Sequence, residues 1–299
     1  MNRILEQIKR GEPAAIARAI TLVENELESY EQLLKNLNPT HEAKIVGITG
    51  APGTGKSTLT DALIEKLLTS DKRIAVLCVD PSSPFNFGAL LGDRIRMSSW
   101  YTHPRVFIRS LATRGSLGGL HPKIVEITDL LKAAAFDYII IETVGVGQTE
   151  VEITGLADTT IVVLVPEGGD EVQTMKAGVM EIADIFVLNK SDRPGAEDFL
   201  RNLRLMLAPS FNKSTEVTIV PTVASEKKGV DELVQAINKH SSGTNSAKKS
   251  WLRTEKAYQL IRQKRMKDIN KEELRKAIDQ QNPNFNLYQF VEDFGSINR

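Results

Sequence analysis

A glycine-rich segment near the start of the chain has the residue types of a phosphate-binding loop. Gly50, Gly55, Lys56 and Ser57 follow the P-loop spacing, in which four residues separate a first glycine from Gly-Lys-Ser/Thr. Glycines let backbone N–H groups turn toward phosphate oxygens, and the N-terminus of a following helix adds a favourable dipole. In such a loop the lysine contacts the β- and γ-phosphates, and the serine hydroxyl ligates Mg²⁺. The predicted phosphate-binding residues are Gly50, Ala51, Pro52, Gly53, Thr54, Gly55, Lys56, Ser57 and Thr58.

A second polar segment carries groups that can select a base. Asn189-Lys190-Ser191-Asp192 follows an apolar run. The Asp192 carboxylate can accept hydrogen bonds from both N1–H and the exocyclic amine of guanine, and adenine offers no such pair of donors. The stem of Lys190 can lie over the base, and Asn189 can tie this loop to the P-loop. The alternative for Asp192 is a helix N-cap. A backbone N–H of the loop that contains Val223, Ala224 and Ser225 is expected to meet the guanine oxygen.

Acidic residues at the ends of two apolar runs indicate a metal site. Glu142 ends one run and can hold Mg²⁺ through water or position the attacking water, and Asp80 ends another. Asp93 follows in the next loop, where an exposed helix charge is the alternative. Three carboxylates beside a triphosphate repel it unless a cation is bound, so the predicted magnesium ligands are Ser57, Asp80, Asp93 and Glu142. Lys56 and the three carboxylates are the predicted catalytic set. Gly145, in a glycine-bearing loop after Glu142, is predicted to sense the γ-phosphate.

Short apolar strands alternate with amphipathic helices along the chain, which predicts an α/β fold with a mostly parallel sheet covered on both faces. The expected architecture is the three-layer fold of P-loop NTPases. Ligands in such folds bind at the carboxyl ends of strands, where all the loops named above fall. Residues 13–37 have helical spacing and predict one long helix. The predicted division is an N-terminal helical extension (1–40), a nucleotide-binding domain (41–240), a linker (241–250) and a C-terminal helical arm (251–299).

Composition narrows the class of protein further. The 299 residues contain 38 basic and 38 acidic side chains, so no global field favours nucleic acid or an anionic membrane. The single cysteine, Cys78, lies in an apolar run and excludes an intramolecular disulfide and any multi-cysteine metal site. No signal-peptide pattern and no apolar run of membrane-spanning length is present, which favours a cytoplasmic protein without a membrane contact.

Together these motifs resemble the ArgK/MeaB family of GTPases, over about residues 13–240. The matching motifs are residues 50–58, 79–84, 91–97, 114–119, 142–148, 169–173, 176–178 and 181–184, the last followed by Asn189 and Lys190. The resemblance implies a GTPase that binds GTP or GDP with Mg²⁺ and acts as chaperone of an adenosylcobalamin-dependent acyl-CoA mutase, typically methylmalonyl-CoA mutase. It would gate cofactor loading and protect or reactivate the mutase. The resemblance also implies a homodimer formed through the C-terminal arm, and a further switch loop around residues 169–176.

Two other functions remain open at this point. One is a metal-delivery GTPase of the nickel or zinc type, for which the single cysteine and four scattered histidines offer no metal-binding cluster. The other is a kinase or ATPase, including the ArgK-type kinase linked to amino-acid transport. The guanine-selective pattern at Asn189–Asp192 is evidence against an ATP-dependent enzyme.

Overall fold

Seven parallel strands form the sheet that carries the predicted loops. The computed structural model describes residues 2–38, 42–80, 97–114, 120–143, 149–167, 183–207, 217–242, 246–266, 269–282 and 285–297. The strands are β1 (Lys44–Thr49), β2 (Ile74–Asp80), β3 (Val106–Ala112), β4 (Tyr138–Glu142), β5 (Thr159–Leu164), β6 (Ile185–Leu188) and β7 (Thr218–Pro221). Their order is β3-β2-β4-β1-β5-β6-β7, and every neighbouring pair is parallel. The predicted parallel α/β architecture is confirmed, and all seven carboxyl ends lie along one edge.

Helices complete the fold in the described part of the chain. They are α1 (Asn2–Lys9), α2 (Pro13–Glu24), α3 (Tyr30–Lys35), α4 (Lys56–Thr69), α5 (Ile124–Ala133), α6 (Thr149–Thr154), α7 (Ala196–Leu207), α8 (Val230–Ser242), α9 (Ser246–Arg265), α10 (Lys271–Asp279) and α11 (Leu287–Ile297). Short 3₁₀ turns occur at Ser98–Trp100 and Ala224–Glu226. None of the described helices is both long and apolar enough to cross a membrane.

Helices cover both faces of the sheet because successive strand residues point to opposite sides. On β4, Ile139 packs in the same apolar cluster as Ile20 of α2 and the inner face of α5. Its neighbour Ile140 packs with Leu63 of α4 and the inner face of α8. A fully buried side chain of this size stabilises the fold by about 1.5–3 kcal/mol. The second cluster therefore fixes α4, the helix that follows the P-loop, against the middle of the sheet.

The predicted single helix over residues 13–37 is wrong. The structure has α2 and α3 instead, separated by a turn in which Glu26 has φ +48° and Ser29 has φ +73°. Left-handed backbone at a residue with a Cβ cannot continue a right-handed helix. The break separates α3 from α2, whose residues Ile16 and Ile20 are fully buried. The first helices of the chain are thus part of the core that supports the sheet.

The chain divides into two compact units, residues 1–249 and 250–299. Residues 246–250 of the predicted linker lie in α9, since this helix begins at Ser246. In the second unit, the Asn270 side chain caps α10 by accepting from the backbone N–H groups of Glu272 and Glu273. A groove of about 490 Å³ in this unit is lined by three phenylalanines, of which Phe285 meets Phe290 edge to face and Phe290 stacks on Phe294.

Candidate nucleotide-binding site

The P-loop connects the central strand β1 to α4 through a tight turn with three left-handed glycines. Gly50, Gly53 and Gly55 have φ of +144°, +81° and +90°. A Cβ at Gly50 would lie 2.3 Å from the carbonyl oxygen of Val163, and one at Gly55 would lie 2.3 Å from Asn189 Nδ2. The loop is therefore drawn against the neighbouring strands, and only glycine fits at these two positions.

Lys56 is the first residue of α4, and its ammonium is buried against the loop. Its Nζ donates to the carbonyl oxygens of Gly50, at 2.8 Å, and Ala51, at 3.0 Å. A cation at a helix N-terminus is electrostatically unfavourable, because the first turn carries unpaired N–H groups and a positive dipole end. The positive charge and the helix end together favour an anion in this loop.

A buried carboxylate lies directly beside the P-loop serine. Glu142, at the end of β4, has only 3% of its surface exposed. Ser57 Oγ donates to Glu142 Oε1 at 2.6 Å, and Thr60 Oγ1 donates to Glu142 Oε2 at 2.8 Å. The serine oxygen keeps lone pairs for a metal while it donates its proton. Hydroxyl and carboxylate oxygens are the ligand type that Mg²⁺ prefers, so these residues fit that ion.

Of the other two predicted metal ligands, the structure describes Asp80 but not Asp93. Asp80 is buried at the end of β2, two residues beyond Cys78, which pairs with Glu142 across the sheet. It therefore ends the strand next to Glu142, on the same edge. Asp93, Gly145 and the predicted switch loop around 169–176 lie outside the described residues. Within the described ranges, no group of three or more His, Cys, Asp or Glu side chains is arranged to hold a metal ion.

Asn189 joins three loops at the opposite end of the site. Its Nδ2 donates to the carbonyl oxygen of Thr54 in the P-loop, at 2.9 Å. Its Oδ1 accepts from Thr222 Oγ1 and from the backbone N–H of Ala224, both at 3.1 Å. The Asn189 side chain is buried, and it provides these three polar groups with a hydrogen-bond partner inside the protein. Asn189 therefore sets the spacing between the P-loop and the loops that follow β6 and β7.

The residues after Asn189 extend toward solvent. Lys190 has φ +56°, and its Nζ donates to the carbonyl oxygen of Gly53 at 2.8 Å. This contact lays the lysine stem between its own loop and the P-loop. The Asp192 side chain is exposed, so its carboxylate is accessible to a ligand. Of the three residues predicted to contact the base after β7, Ala224 already donates its N–H to Asn189, while Ser225 is exposed.

Arg114 contacts the end of α2. It has φ +48°, and its guanidinium donates to the carbonyl oxygen of Glu24, at 2.9 Å, and to Asn25 Oδ1, at 2.8 Å. Arg109 donates to the carboxylate of Glu24 at 2.8 Å. The end of α2 is thus tied to the end of β3. The sequence gives no signal for this cluster, because its partners are far apart in the chain and form no local motif.

A buried histidine completes this cluster. His121 is 1% exposed, and its Nδ1 accepts from the backbone N–H of Lys123 at 3.0 Å. Burial lowers the pKa of His121 from 6.5 to about 4; nearby Glu24 opposes this shift, and the positive charges of Arg114, Lys123 and Arg109 add to it. The ring is therefore neutral at pH 7, and its Nε2 lies 4.0 Å from Glu24 Oε1.

The fold and the site together define a P-loop nucleoside triphosphatase. A glycine-rich loop follows the central strand of a parallel sheet, and an Asn-Lys-x-Asp segment follows β6 at the same edge. The chain belongs to the MeaB family, since the family model described as "Methylmalonyl Co-A mutase-associated GTPase MeaB" matches residues 16–281. It is accordingly a GTPase that binds guanine nucleotides.

Relatives and solved structures agree with this assignment. A putative GTPase of Pyrococcus abyssi is 49% identical over 245 residues, which span 80% of this chain and 76% of the relative. The fused isobutyryl-CoA mutase of Geobacillus kaustophilus is 39% identical over 262 residues, which span 81% of this chain and 24% of that protein. The crystal structure of an LAO/AO transport system kinase has a TM-score of 0.71 at 26% identity, and the match covers 98% of this chain and 97% of that one.

Proposed function

We propose that this GTPase is a chaperone of an adenosylcobalamin-dependent acyl-CoA mutase, with methylmalonyl-CoA mutase as the first candidate. The observation that carries the proposal is the match within the fused isobutyryl-CoA mutase, which spans 81% of this chain but only 24% of that protein. A region similar to most of this chain is therefore covalently part of a protein named as a mutase. The description of the matching family, which names methylmalonyl-CoA mutase, supports the same class of partner.

The base-selective contacts are assigned to the loops after β6 and β7. The exposed Asp192 carboxylate accepts from N1–H and the exocyclic amine of guanine, a bidentate charge-assisted pair. The stem of Lys190, which already lies against the P-loop, covers one face of the base. The loop of Val223, Ala224 and Ser225 supplies an N–H to the guanine oxygen. Since Ala224 N–H donates to Asn189, Ser225 is the candidate for that contact.

The phosphate contacts and the metal are assigned to the other half of the site. Lys56 moves its donors from the loop carbonyls to the β- and γ-phosphates, and the backbone N–H groups of residues 50–58 surround them. Ser57 and Glu142, with Asp80 and Asp93, hold Mg²⁺ directly or through water. A bound Mg²⁺ neutralises negative charge on the phosphates during hydrolysis. Glu142 and the other carboxylates also orient the attacking water.

The chain is proposed to form a homodimer through its second unit, residues 250–299. Several of its apolar side chains are more than half exposed, namely Tyr258, Ile261, Met266, Leu287, Tyr288 and Val291. Such a concentration of exposed apolar surface is typical of an interface. Light scattering at micromolar concentration is expected to give the mass of a dimer, and a monomer at that concentration would contradict the proposal.

The partner is tested with purified methylmalonyl-CoA mutase freed of its cofactor. The mutase is expected to be retained by the immobilised GTPase and to change its rate of GTP hydrolysis. Lys56→Ala should remove hydrolysis with or without the mutase, which controls for contaminating GTPases. If the mutase is neither retained nor changes the turnover of GTP, this partner is wrong.

The nucleotide assignment has its own test. Asp192→Asn should weaken GTP binding by about tenfold or more and leave the weak binding of ATP unchanged, because only guanine uses the second acceptor oxygen. Equal losses for both nucleotides would overturn the role of Asp192. The alternative of a kinase, favoured by the likeness to the LAO/AO transport system kinase, requires a phosphorylated acceptor in place of free phosphate. A stoichiometric release of phosphate per GTP is the expected result.

A further inference from the structure

We infer that Thr60 is a positioning residue for Glu142, the carboxylate that the proposed function places at Mg²⁺. Thr60 lies on α4, three residues after Ser57 and four after Lys56, so it faces the same side of the helix as the P-loop residues. Its Oγ1 donates to Glu142 Oε2 at 2.8 Å. The inference rests on the proposed role of Glu142 and adds to it a residue outside the P-loop motif.

The two oxygens of Glu142 are held by different hydroxyl groups. Ser57 binds Oε1 and Thr60 binds Oε2, at 2.6 and 2.8 Å. The terminal torsion of a glutamate side chain has a broad energy profile, so a carboxylate held at one oxygen alone can turn about it. A second donor at the other oxygen removes this freedom. With both contacts, the plane of the carboxylate is fixed relative to α4.

The proton of Thr60 has two possible acceptors, and the chemistry of the groups decides between them. Thr60 Oγ1 also lies 3.0 Å from the carbonyl oxygen of Lys56, a contact that threonine often makes within a helix. A hydroxyl has a single proton, and an ionised carboxylate only accepts. A hydrogen bond to a charged acceptor is stronger than one to a neutral carbonyl. Thr60 therefore donates its hydroxyl proton to the carboxylate of Glu142 and not to the carbonyl of Lys56. Thr60 is fully buried, and the bond is therefore shielded from water.

The hydroxyl groups of Ser57 and Thr60 make different contacts when a metal is bound. Ser57 has an oxygen that the proposed function shares between Mg²⁺ and Glu142. Thr60 contacts Glu142 from the next turn of α4. Among the described residues, its hydroxyl bonds the carboxylate and the helix carbonyl of Lys56. Loss of the Thr60 hydroxyl should thus leave nucleotide contacts in place but weaken the orientation of Glu142, and with it the affinity for Mg²⁺.

The chain provides a matched control for the experiment. Thr128 on α5 is also fully buried, and its Oγ1 donates to the carbonyl oxygen of Ile124, four residues earlier, at 2.6 Å. It has the same type of helix contact as Thr60, but its hydroxyl donates to a helix carbonyl and not to a carboxylate. Thr60→Val and Thr128→Val each remove one buried hydroxyl with little change in shape, and Thr60→Ser restores the hydroxyl.

The test is a titration of fluorescently labelled GDP with MgCl₂, together with thermal unfolding of the full chain. Thr60→Val should raise the Mg²⁺ concentration for half-maximal effect on GDP binding by about tenfold, the change that corresponds to roughly 1.4 kcal/mol. GDP affinity in EDTA should stay within about twofold of wild type. Thr60→Ser should restore the wild-type Mg²⁺ requirement. Thr128→Val should lower the melting temperature but leave the Mg²⁺ requirement at the wild-type value.

The outcomes separate this inference from the proposed function. Glu142→Gln should also raise the Mg²⁺ requirement, and adding Thr60→Val to it should cause little further change, because both act through one group. A raised requirement in Glu142→Gln but not in Thr60→Val overturns the role of Thr60 alone. No change in either variant overturns the role of Glu142 and the inference with it. If Thr60→Val does not fold, Thr60→Ala takes its place, and a wild-type Mg²⁺ requirement in Thr60→Ala contradicts the inference. An altered Mg²⁺ requirement in Thr128→Val also contradicts it.

Discussion

Asn189 Nδ2 donates to the carbonyl oxygen of Thr54 at 2.9 Å, although 135 positions separate the two residues in the chain. The bond fixes the loop after β6 to the loop after β1. On its other side the same amide accepts from the backbone N–H of Ala224. A single side chain thus sets the distance between the groups assigned to the phosphates and those assigned to the base.

The first prediction concerns this amide. Asn189→Ala should weaken GDP binding by at least about tenfold and lower the free energy of unfolding by about 2 kcal/mol, because it leaves three buried polar partners unsatisfied. Isothermal titration and thermal unfolding measure the two effects. Asn238→Ala is the control, since Asn238 accepts from Lys44 and Tyr138 at the opposite edge of the sheet. It should reduce stability but keep GDP affinity within about twofold, and an equal loss of affinity in both variants would contradict the prediction.

The second prediction concerns the close approach at Gly55. Gly55→Ala places a Cβ 2.3 Å from Asn189 Nδ2 at a residue with φ +90°, so it should both strain the loop and displace the amide. Loss of GDP binding by at least about tenfold is expected, with a strain of about 1–3 kcal/mol. Gly195→Ala is the matched control, because Gly195 has φ +84° but a Cβ there meets nothing within 4 Å. Gly195→Ala should lose stability only; GDP binding that survives unchanged in Gly55→Ala would show that the contact is unimportant.

The third prediction concerns the ion pair at the end of α2. Glu24→Gln removes the carboxylate that Arg109 and Arg114 share, and should lower the free energy of unfolding by about 1–3 kcal/mol. The loss is smaller than for a fully buried pair, because both arginines keep part of their surface in water. Glu6→Gln tests an exposed pair with Lys9, which should contribute less than about 0.5 kcal/mol. Urea unfolding measures both losses of stability. Equal losses would contradict the prediction that Glu24 contributes more to the free energy of unfolding than Glu6.

The fourth prediction is a dependence on pH. The unfolded chain protonates His121 near the ordinary pKa of 6.5, but the folded chain does so only near 4. The unfolded state therefore binds more protons between these values, so acid destabilises the fold in this window and has no such effect above it. This histidine should reduce stability by about 2 kcal/mol between pH 7 and pH 5.

His121→Gln should lack this part of the acid sensitivity, as measured by urea unfolding at both pH values. His103→Gln is the control, because His103 also accepts a backbone N–H two residues later, at Arg105. It should retain the acid sensitivity of the wild type. Wild-type sensitivity in His121→Gln would show that other groups cause it.

Local patterns were sufficient to predict the strands and the P-loop. The run before Gly50 is apolar and short, and Lys56 begins a helical pattern, so strand, turn and helix follow from neighbouring residues. The ends of the strands placed Asp80, Glu142 and Asn189 at one edge, since the carboxyl ends of parallel strands meet there. The predicted roles of these side chains in binding stay predictions.

The break between α2 and α3 left no comparable signal. Residues 24–30 contain neither glycine nor proline, although the positive φ values of Glu26 and Ser29 end the helix. The turn is stabilised by tertiary contacts, among them the ion pair of Glu26 with Lys123 at 2.8 Å. The contact of Arg114 with Glu24 likewise joins residues 90 positions apart, and spacing along the chain carries no information about it.

Thr60 was missed for a different reason. A threonine within a helix usually bonds the carbonyl four residues earlier, which gives it no distinctive pattern. Its partner Glu142 lies 82 positions further along the chain. Only the approach of α4 to the end of β4 reveals that the hydroxyl serves a carboxylate.

The bond between Asn189 and Thr54 also has a consequence for biosynthesis. The ribosome completes the P-loop long before it makes Asn189, and Ala224 comes later still. A nascent chain that ends before residue 189 has the P-loop but lacks the bond that fixes it to the loop proposed to select the base. Pairing of such distant segments is slow, because the closure of long loops costs entropy before any contact forms. Under the proposed assignment of the base to Asp192, selectivity for guanine is acquired only when synthesis of the sheet is nearly complete.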